Sequence, residues 1–125
     1  MSEKKFWKVS PHIPVKDVEE TVEWYKKNLG FSEEWYYGNP VTDGGCKRDE
    51  LRLLFGKVQG VFERPKELSL IFFVSGVDEV YDEVIAKGIE IELPIATYDY
   101  GVREFSVIDL NGYPIRFAEA VELHE

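Results

Sequence analysis

The sequence is short of cysteine, of histidine and of any long apolar stretch. A lone thiol, Cys46, excludes an internal disulfide framework and a CxxC-type zinc knuckle. No continuous apolar run comes near the roughly 20 residues needed to cross a bilayer. The opening MSEKKFWKV has lysines with no apolar stretch behind them, so it does not read as a signal peptide. Together these features lead us to expect a cytoplasmic protein with no membrane partner. Positive charge is also in deficit, at 15 Lys and Arg against 24 Asp and Glu. The resulting net charge of -9 argues against nucleic acid, whose binding rests on neutralising phosphates. It suits either plain solubility or attraction of a cationic ligand.

What is present is a globular mixture, 44% apolar and 31% charged, in a chain of 125 residues. That is one domain, long enough to bury a core. Residues 8–15, KVSPHIPV, read as a strand. Asp17 suits a helix N-cap, with Glu20 at capping-box spacing. Val18, Val22, Tyr25 and Leu29 then recur on one helical face, and Gly30 sits where a C′ glycine ends it. The aromatic-rich segment 31–37 reads as a strand, and Asn39-Pro40 and Gly44-Gly45 as loop punctuation. Segments 46–48 and 51–55 suggest a hairpin turning at Asp49-Glu50. The pattern then returns: a strand over 68–74, a helical face at Val77, Tyr81 and Val84 stopping at Gly88, and a strand over 89–93. A loop from Pro94 to Tyr100 follows, then a hairpin of 102–108 with 113–118. Asn111-Gly112 between them is a type I′ turn signal.

The two halves align. Ser10 matches Ser69, Val15 matches Val74 and Val18 matches Val77 at one constant separation, and Gly30 matches Gly88 one residue short of it. The expected fold is therefore α+β, a single domain over residues 1–125. Module one covers about 6–56, a crossover about 57–67 and module two about 68–120. Each is a βαβββ unit with one sheet face that it cannot bury alone. We expect a cupped, barrel-like mixed sheet with helices outside and a small-molecule pocket within.

The stretches PHIPVKDVEETVEWYKKNLGF and YGVREFSVIDLNGYPIRFAEA resemble the opening and closing segments of the vicinal oxygen chelate superfamily. That superfamily groups glyoxalases, bleomycin-resistance proteins and dioxygenases, and the resemblance is greatest to the bleomycin-resistance branch. It spans nearly the whole chain, with Leu110-Asn111 in place of the usual Pro-Asp in the last turn. It implies that metal-dependent relatives would place ligands at Ser10, at Ser69, near Arg52 or Leu53, and at Arg116. None of these offers an imidazole, carboxylate or thiolate donor. We therefore expect a metal-free site and no cofactor. By the same resemblance we expect a homodimer, and a cationic aromatic small molecule as partner. A glyoxalase-type isomerase or dioxygenase with an atypical site is the alternative.

The candidate ligand-binding residues are Ser10, His12, Trp35, Tyr37, Leu53, Ser69, Arg103 and Arg116. Strand alternation puts His12 on the face of Ser10, and Trp35 and Tyr37 on one face opposite to Tyr36. His12 suits a donor, a base or a pocket wall. The two tyrosines at 98 and 100 and the pair Trp35 and Tyr37 suit either a stacking platform or core and dimer contacts. Arg103 and Arg116 suit either a ligand carboxylate or an ion pair with a residue such as Glu104. Cys46 has no matching histidine motif for nucleophilic work, and His124 falls in the tail.

Overall fold

The computed structural model describes residues 3–122; His124 lies outside them. Helix α1, Val18–Leu29, starts at Asp17, whose carboxylate accepts from the Glu20 amide at 2.8 Å. Glu19 and Glu20 in its first turn and Lys26 and Lys27 in its last suit the helix dipole. Gly30, at φ 69°, closes the helix in the left-handed conformation that glycine adopts without strain. The face Val18, Val22, Tyr25 and Leu29 is buried, as its spacing requires. Helix α2, Val77–Ala86, has Gly76 at its N-cap and no side-chain cap of its own. Glu119 replaces one from across the module, accepting from the Gly76 and Val77 amides at 2.8 and 3.0 Å. Those two hydrogen bonds hold its carboxyl below the usual range.

Around these helices lie strands β1 (His12–Val15), β2 (Ser32–Tyr37), β3 (Asp43–Arg48) and β4 (Leu51–Lys57), then β5 (Leu70–Phe73), β6 (Ile91–Tyr98), β7 (Val102–Ile108) and β8 (Pro114–Ala120). They form two four-stranded sheets of matching order, β1-β4-β3-β2 and β5-β8-β7-β6. In each the first and last strands of the module pair in parallel and the rest antiparallel. The tandem βαβββ expectation holds, and the sheets remain two open sheets rather than one closed barrel.

Four local readings are corrected. The first strand begins at His12, not at residue 8. Gly44-Gly45, read as a loop, lies inside β3, because a Cβ at either position would collide with a neighbour under 3 Å away. Pro94 to Tyr98, read as a loop, continues β6. This strand is at a sheet edge and its register slips on both sides of Leu93, which accommodates a residue lacking an amide N–H. The last hairpin closes over 109–113. Gly112 donates to the Asp109 carbonyl at 3.0 Å, and Gly112 alone has positive φ there. A type I′ turn needs positive φ at both central residues, so this is a longer turn.

One core runs through both modules. Tyr25 packs on Phe31 and Phe55, Phe31 on Phe72, and Phe72 on Phe117, with ring centroids 5.3–6.0 Å apart. Phe117 in turn stacks on Phe105 at 4.7 Å. The 109–113 turn docks on module one through buried polar groups. Tyr25 Oη donates to Asp109 Oδ2 at 2.7 Å, Tyr113 Oη to the Pro14 carbonyl at 2.5 Å, and Asn111 Nδ2 to Thr21 Oγ1 at 3.0 Å. On the other side Arg48 forks onto Glu83 of α2 at 2.6 and 3.1 Å. Arg64 of the crossover lies against Gly112.

Candidate functional site

Each sheet turns one face to the helices and leaves the other open, and cross-strand pairing identifies the residues on each. On β4, Leu53 and Phe55 are 3% and 1% exposed and face α1. Leu54 and Gly56 therefore belong to the open face. Two adjacent rows cross it. The first is His12, Leu54, Gly45 and Trp35; the second is Pro14, Gly56, Asp43 and Tyr37. Two glycines in these rows are required by close approach. A Cβ on Gly45 would lie 2.8 Å from Trp35 Nε1, so the indole lies across the sheet over Gly45. A Cβ on Gly56 would lie 2.8 Å from His12 Nε2, so the imidazole reaches over Gly56 toward Asp43. Nε2 stands 3.6 Å from Asp43 Oδ1, and Asp43 Oδ2 accepts from Thr42 Oγ1 at 2.8 Å. Trp35 is 38% exposed and Tyr37 70%. At one end of this face a pocket of about 790 Å³ is lined by His12, Asp43 and Gly56 with loop residues 40–42 and 58–60.

The matching rows of module two are Ile71, Arg116, Ser106 and Leu93, then Phe73, Ala118, Glu104 and Ala96. Arg116 Nε is 3.2 Å from Glu104 Oε2. Glu104 is 7% exposed, and its other oxygen accepts from Tyr100 Oη. That hydrogen bond raises the Tyr100 phenol above its usual value. Tyr100 stacks on Tyr98 at 5.4 Å.

The sequence-derived candidates thus separate. His12, Trp35 and Tyr37 share one open face, and Arg116 lies on the other. Ser69 and Leu53 line one crevice of about 290 Å³ with Val9, Pro11, Arg52 and Ile71, where the modules adjoin. Ser10 precedes β1 and is half-buried. Leu53 is a core residue on the helix side, because alternation places its neighbours Arg52 and Leu54 on the open face. Arg103 also faces the helices. It forks onto Asp78 of α2 at 2.8–3.2 Å and reaches Thr97 Oγ1 at 3.0 Å. Among the described residues, no hydrogen bond, ion pair or ring contact joins one open face to the other. Sequence reasoning missed Asp43, Gly45, Gly56 and the buried state of Glu104. The one available signal was the Gly44-Gly45 pair, which it took for loop.

Cys46 sits on the helix side, 1% exposed, and burial pushes its thiol up to about 12. It is no nucleophile at neutral pH. The donor set does not fit a metal. No three His, Cys, Asp or Glu side chains converge among the described residues. The His12–Asp43 pair supplies two donors, and the guanidinium of Arg116 supplies none.

The chain matches the family model described as Glyoxalase/Bleomycin resistance protein/Dioxygenase superfamily over residues 9–117, and it belongs to that superfamily. No curated protein matches it. Among solved structures it is similar to TioX from Micromonospora sp. ML1, with 19% identity and TM-score 0.74, over 90% of this chain and 97% of that one. A glyoxalase/bleomycin resistance protein/dioxygenase from Nocardioides shares 18% identity at TM-score 0.74, over 99% and 89%. A putative glyoxalase family protein from Bacillus anthracis shares 24% at 0.70, over 94% and 99%. At these identities the likeness establishes the fold alone.

Proposed function

We propose that this superfamily member is a metal-free binding protein that sequesters a planar, cationic aromatic small molecule. The observation that carries the reading is the open face of module one. There an indole lies across the sheet floor over a glycine, with Tyr37 and the Asp43 carboxylate in the adjacent row. Flat apolar area beside a carboxylate suits a cationic ring, each stacked ring contributing on the order of 1 kcal/mol. The net charge of -9 would speed its arrival and make the association rate salt-sensitive. Ser10 and Ser69 would flank the site, and Arg116 would form its polar side from the other module.

The two open faces would meet in a homodimer. Phe73, Leu93, Tyr37 and Tyr100 are 50–75% exposed in the single chain, and Phe6, Trp7 and Val9 are 80–95% exposed. Apolar surface on this scale calls for a cover. Light scattering should return twice the 14.5 kDa chain mass at micromolar concentration, and a monomer there would overturn the dimer. The binding reading is tested by thermal shift against bleomycin-type antibiotics and small aromatic amines. A ligand at 100 times its Kd should stabilise by about 2.7 kcal/mol. Trp35→Ala should then weaken binding about tenfold with the fold intact; unchanged affinity would sink the platform.

The His12–Asp43 pair favours a second reading, an isomerase of the superfamily with His12 as general base and no metal. The Asp43 carboxylate stands 3.6 Å from the imidazole, within reach of orienting it as a base. Under that reading His12→Asn abolishes turnover of an α-hydroxy carbonyl substrate while leaving its binding in place.

A further inference from the structure

Arg116 occupies the middle of its open face, between Ile71 on β5 and Ser106 on β7. Its side chain is 49% exposed, since these neighbours are too short to cover it. Glu104, in the next row, is flanked by Ala96 and Ala118, and its side chain is only 9% exposed. A carboxylate buried on a sheet face is costly unless both oxygens are engaged. Tyr100 hydrogen-bonds one, and Arg116 Nε forms an ion pair with the other at 3.2 Å. The contact is an ion pair and leaves the hydrogen-bonding capacity of the guanidinium unused. Arg116 makes no hydrogen bond to any described residue, which leaves its guanidinium donors for a fork that receives two carboxylate oxygens in parallel.

The electrostatics narrow the ligand further. Glu104 cancels the charge of Arg116, and the whole chain is strongly acidic, so a simple anion is repelled at long range. A ligand with its own cation escapes that repulsion and still presents a carboxylate to the fork. We propose that Arg116 is the carboxylate receptor of the binding site and that the ligand class is an aromatic amino-carboxylate, a ring bearing both charges. This rests on the reading that both open faces contribute to one aromatic-binding site.

The test uses three indoles on the whole protein: tryptamine with the cation, indole-3-propionate with the carboxylate, and tryptophan with both. Calorimetric titration should rank tryptophan first. Arg116→Gln should weaken tryptophan and indole-3-propionate tenfold or more without weakening tryptamine, whose cation gains from the uncovered Glu104, whereas Trp35→Ala should weaken all three. Arg116→Lys keeps the charge and loses the fork, so it should fall between wild type and Arg116→Gln. It also serves should Arg116→Gln fail to fold with Glu104 stranded. Tryptamine binding that depends on Trp35, with no loss of tryptophan in either Arg116 variant, overturns the receptor and leaves the platform standing. Binding of none of the three at millimolar concentration overturns both.

Discussion

Tyr25→Phe deletes one oxygen and keeps the ring that packs on Phe31 and Phe55. It therefore isolates the buried hydrogen bond that ties α1 to the turn of module two. Asp109 is 5% exposed and accepts from Tyr25 Oη at 2.7 Å, the Asn111 amide at 2.8 Å and the Tyr113 amide at 2.9 Å. Only the first reaches Oδ2, so the variant leaves that oxygen without its donor. Hydrogen bonds to charged groups contribute about 1.5–3 kcal/mol, and a stranded buried acceptor belongs in that range. With an unfolding entropy of about 2.1 cal/mol/K per residue, a loss of about 2 kcal/mol lowers Tm by roughly 8 °C in a chain of 125 residues.

The pH dependence gives a sharper check. Burial raises the Asp109 carboxyl above the usual carboxylate range, and the Tyr25 hydroxyl is the largest influence opposing that rise. A group whose folded pKa is raised stabilises fully below its unfolded value, and that contribution is lost as pH climbs through the folded value. Removing the hydroxyl raises the folded value further, so the variant loses more at neutral pH than in acid. Urea denaturation followed by tryptophan fluorescence should show a gap between wild type and variant at pH 7 that narrows toward about pH 4. A gap below 0.5 kcal/mol, or one independent of pH, would refute an ionised Asp109 held by Tyr25.

Cys46 should resist a thiol reagent at pH 8 in the native protein and react fully in denaturant; fast native labelling would contradict its burial. Gly56→Ala places a methyl 2.8 Å from His12 Nε2, the far end of a flexible side chain. Tm should shift by only a few degrees while ligand affinity falls several-fold, and unchanged affinity would remove the His12–Asp43 pair from the site. Elemental analysis of purified protein should find no stoichiometric zinc, nickel, iron or manganese; one equivalent, lost to chelator together with function, would overturn the metal-free site.

The repeat was legible because it is written in residues with one structural meaning. Val18 and Val77 each open a helix, and Gly30 and Gly88 follow the two helix ends. Helical periodicity found the buried face of α1 without error, since four apolar residues at that spacing have no other economical arrangement. The strands were harder. Glycine in β3 and proline in β6 are loop formers by composition, and they stand in strands here for tertiary reasons. One makes room for an indole and the other sits where the edge register slips. The partner of His12 was not legible at all. Asp43 is distant in sequence, and only the pairing of both neighbouring strands with β4 brings it beside the imidazole. The resemblance located Arg116 but not its environment, because a buried carboxylate such as Glu104 is indistinguishable in sequence from a solvated one.

The placement of the aromatics turns on one extra residue. Ser32 pairs with Lys47 and Trp35 with Gly45, so three steps along β2 match two along β3. The excess is absorbed by a bulge at Glu33, which stands at φ 50°, a conformation uncommon outside glycine. Lys47 and Gly45 share the open face, and strict alternation from Ser32 would have sent Trp35 and Tyr37 toward α1, with Tyr36 on the open side. The bulge reverses this parity. It puts the indole on the open face and turns Tyr36 toward the helix, where a Cβ on Gly44 would meet its ring at 3.2 Å. Strand β6, the counterpart of β2, does the same with its own slip, bringing both Leu93 and Ala96 to the open face of module two. Each module thus spends an irregularity at its edge strand to aim side chains at the open face. Alternation read from sequence can say which residues share a face, but not which face, until the bulges are known.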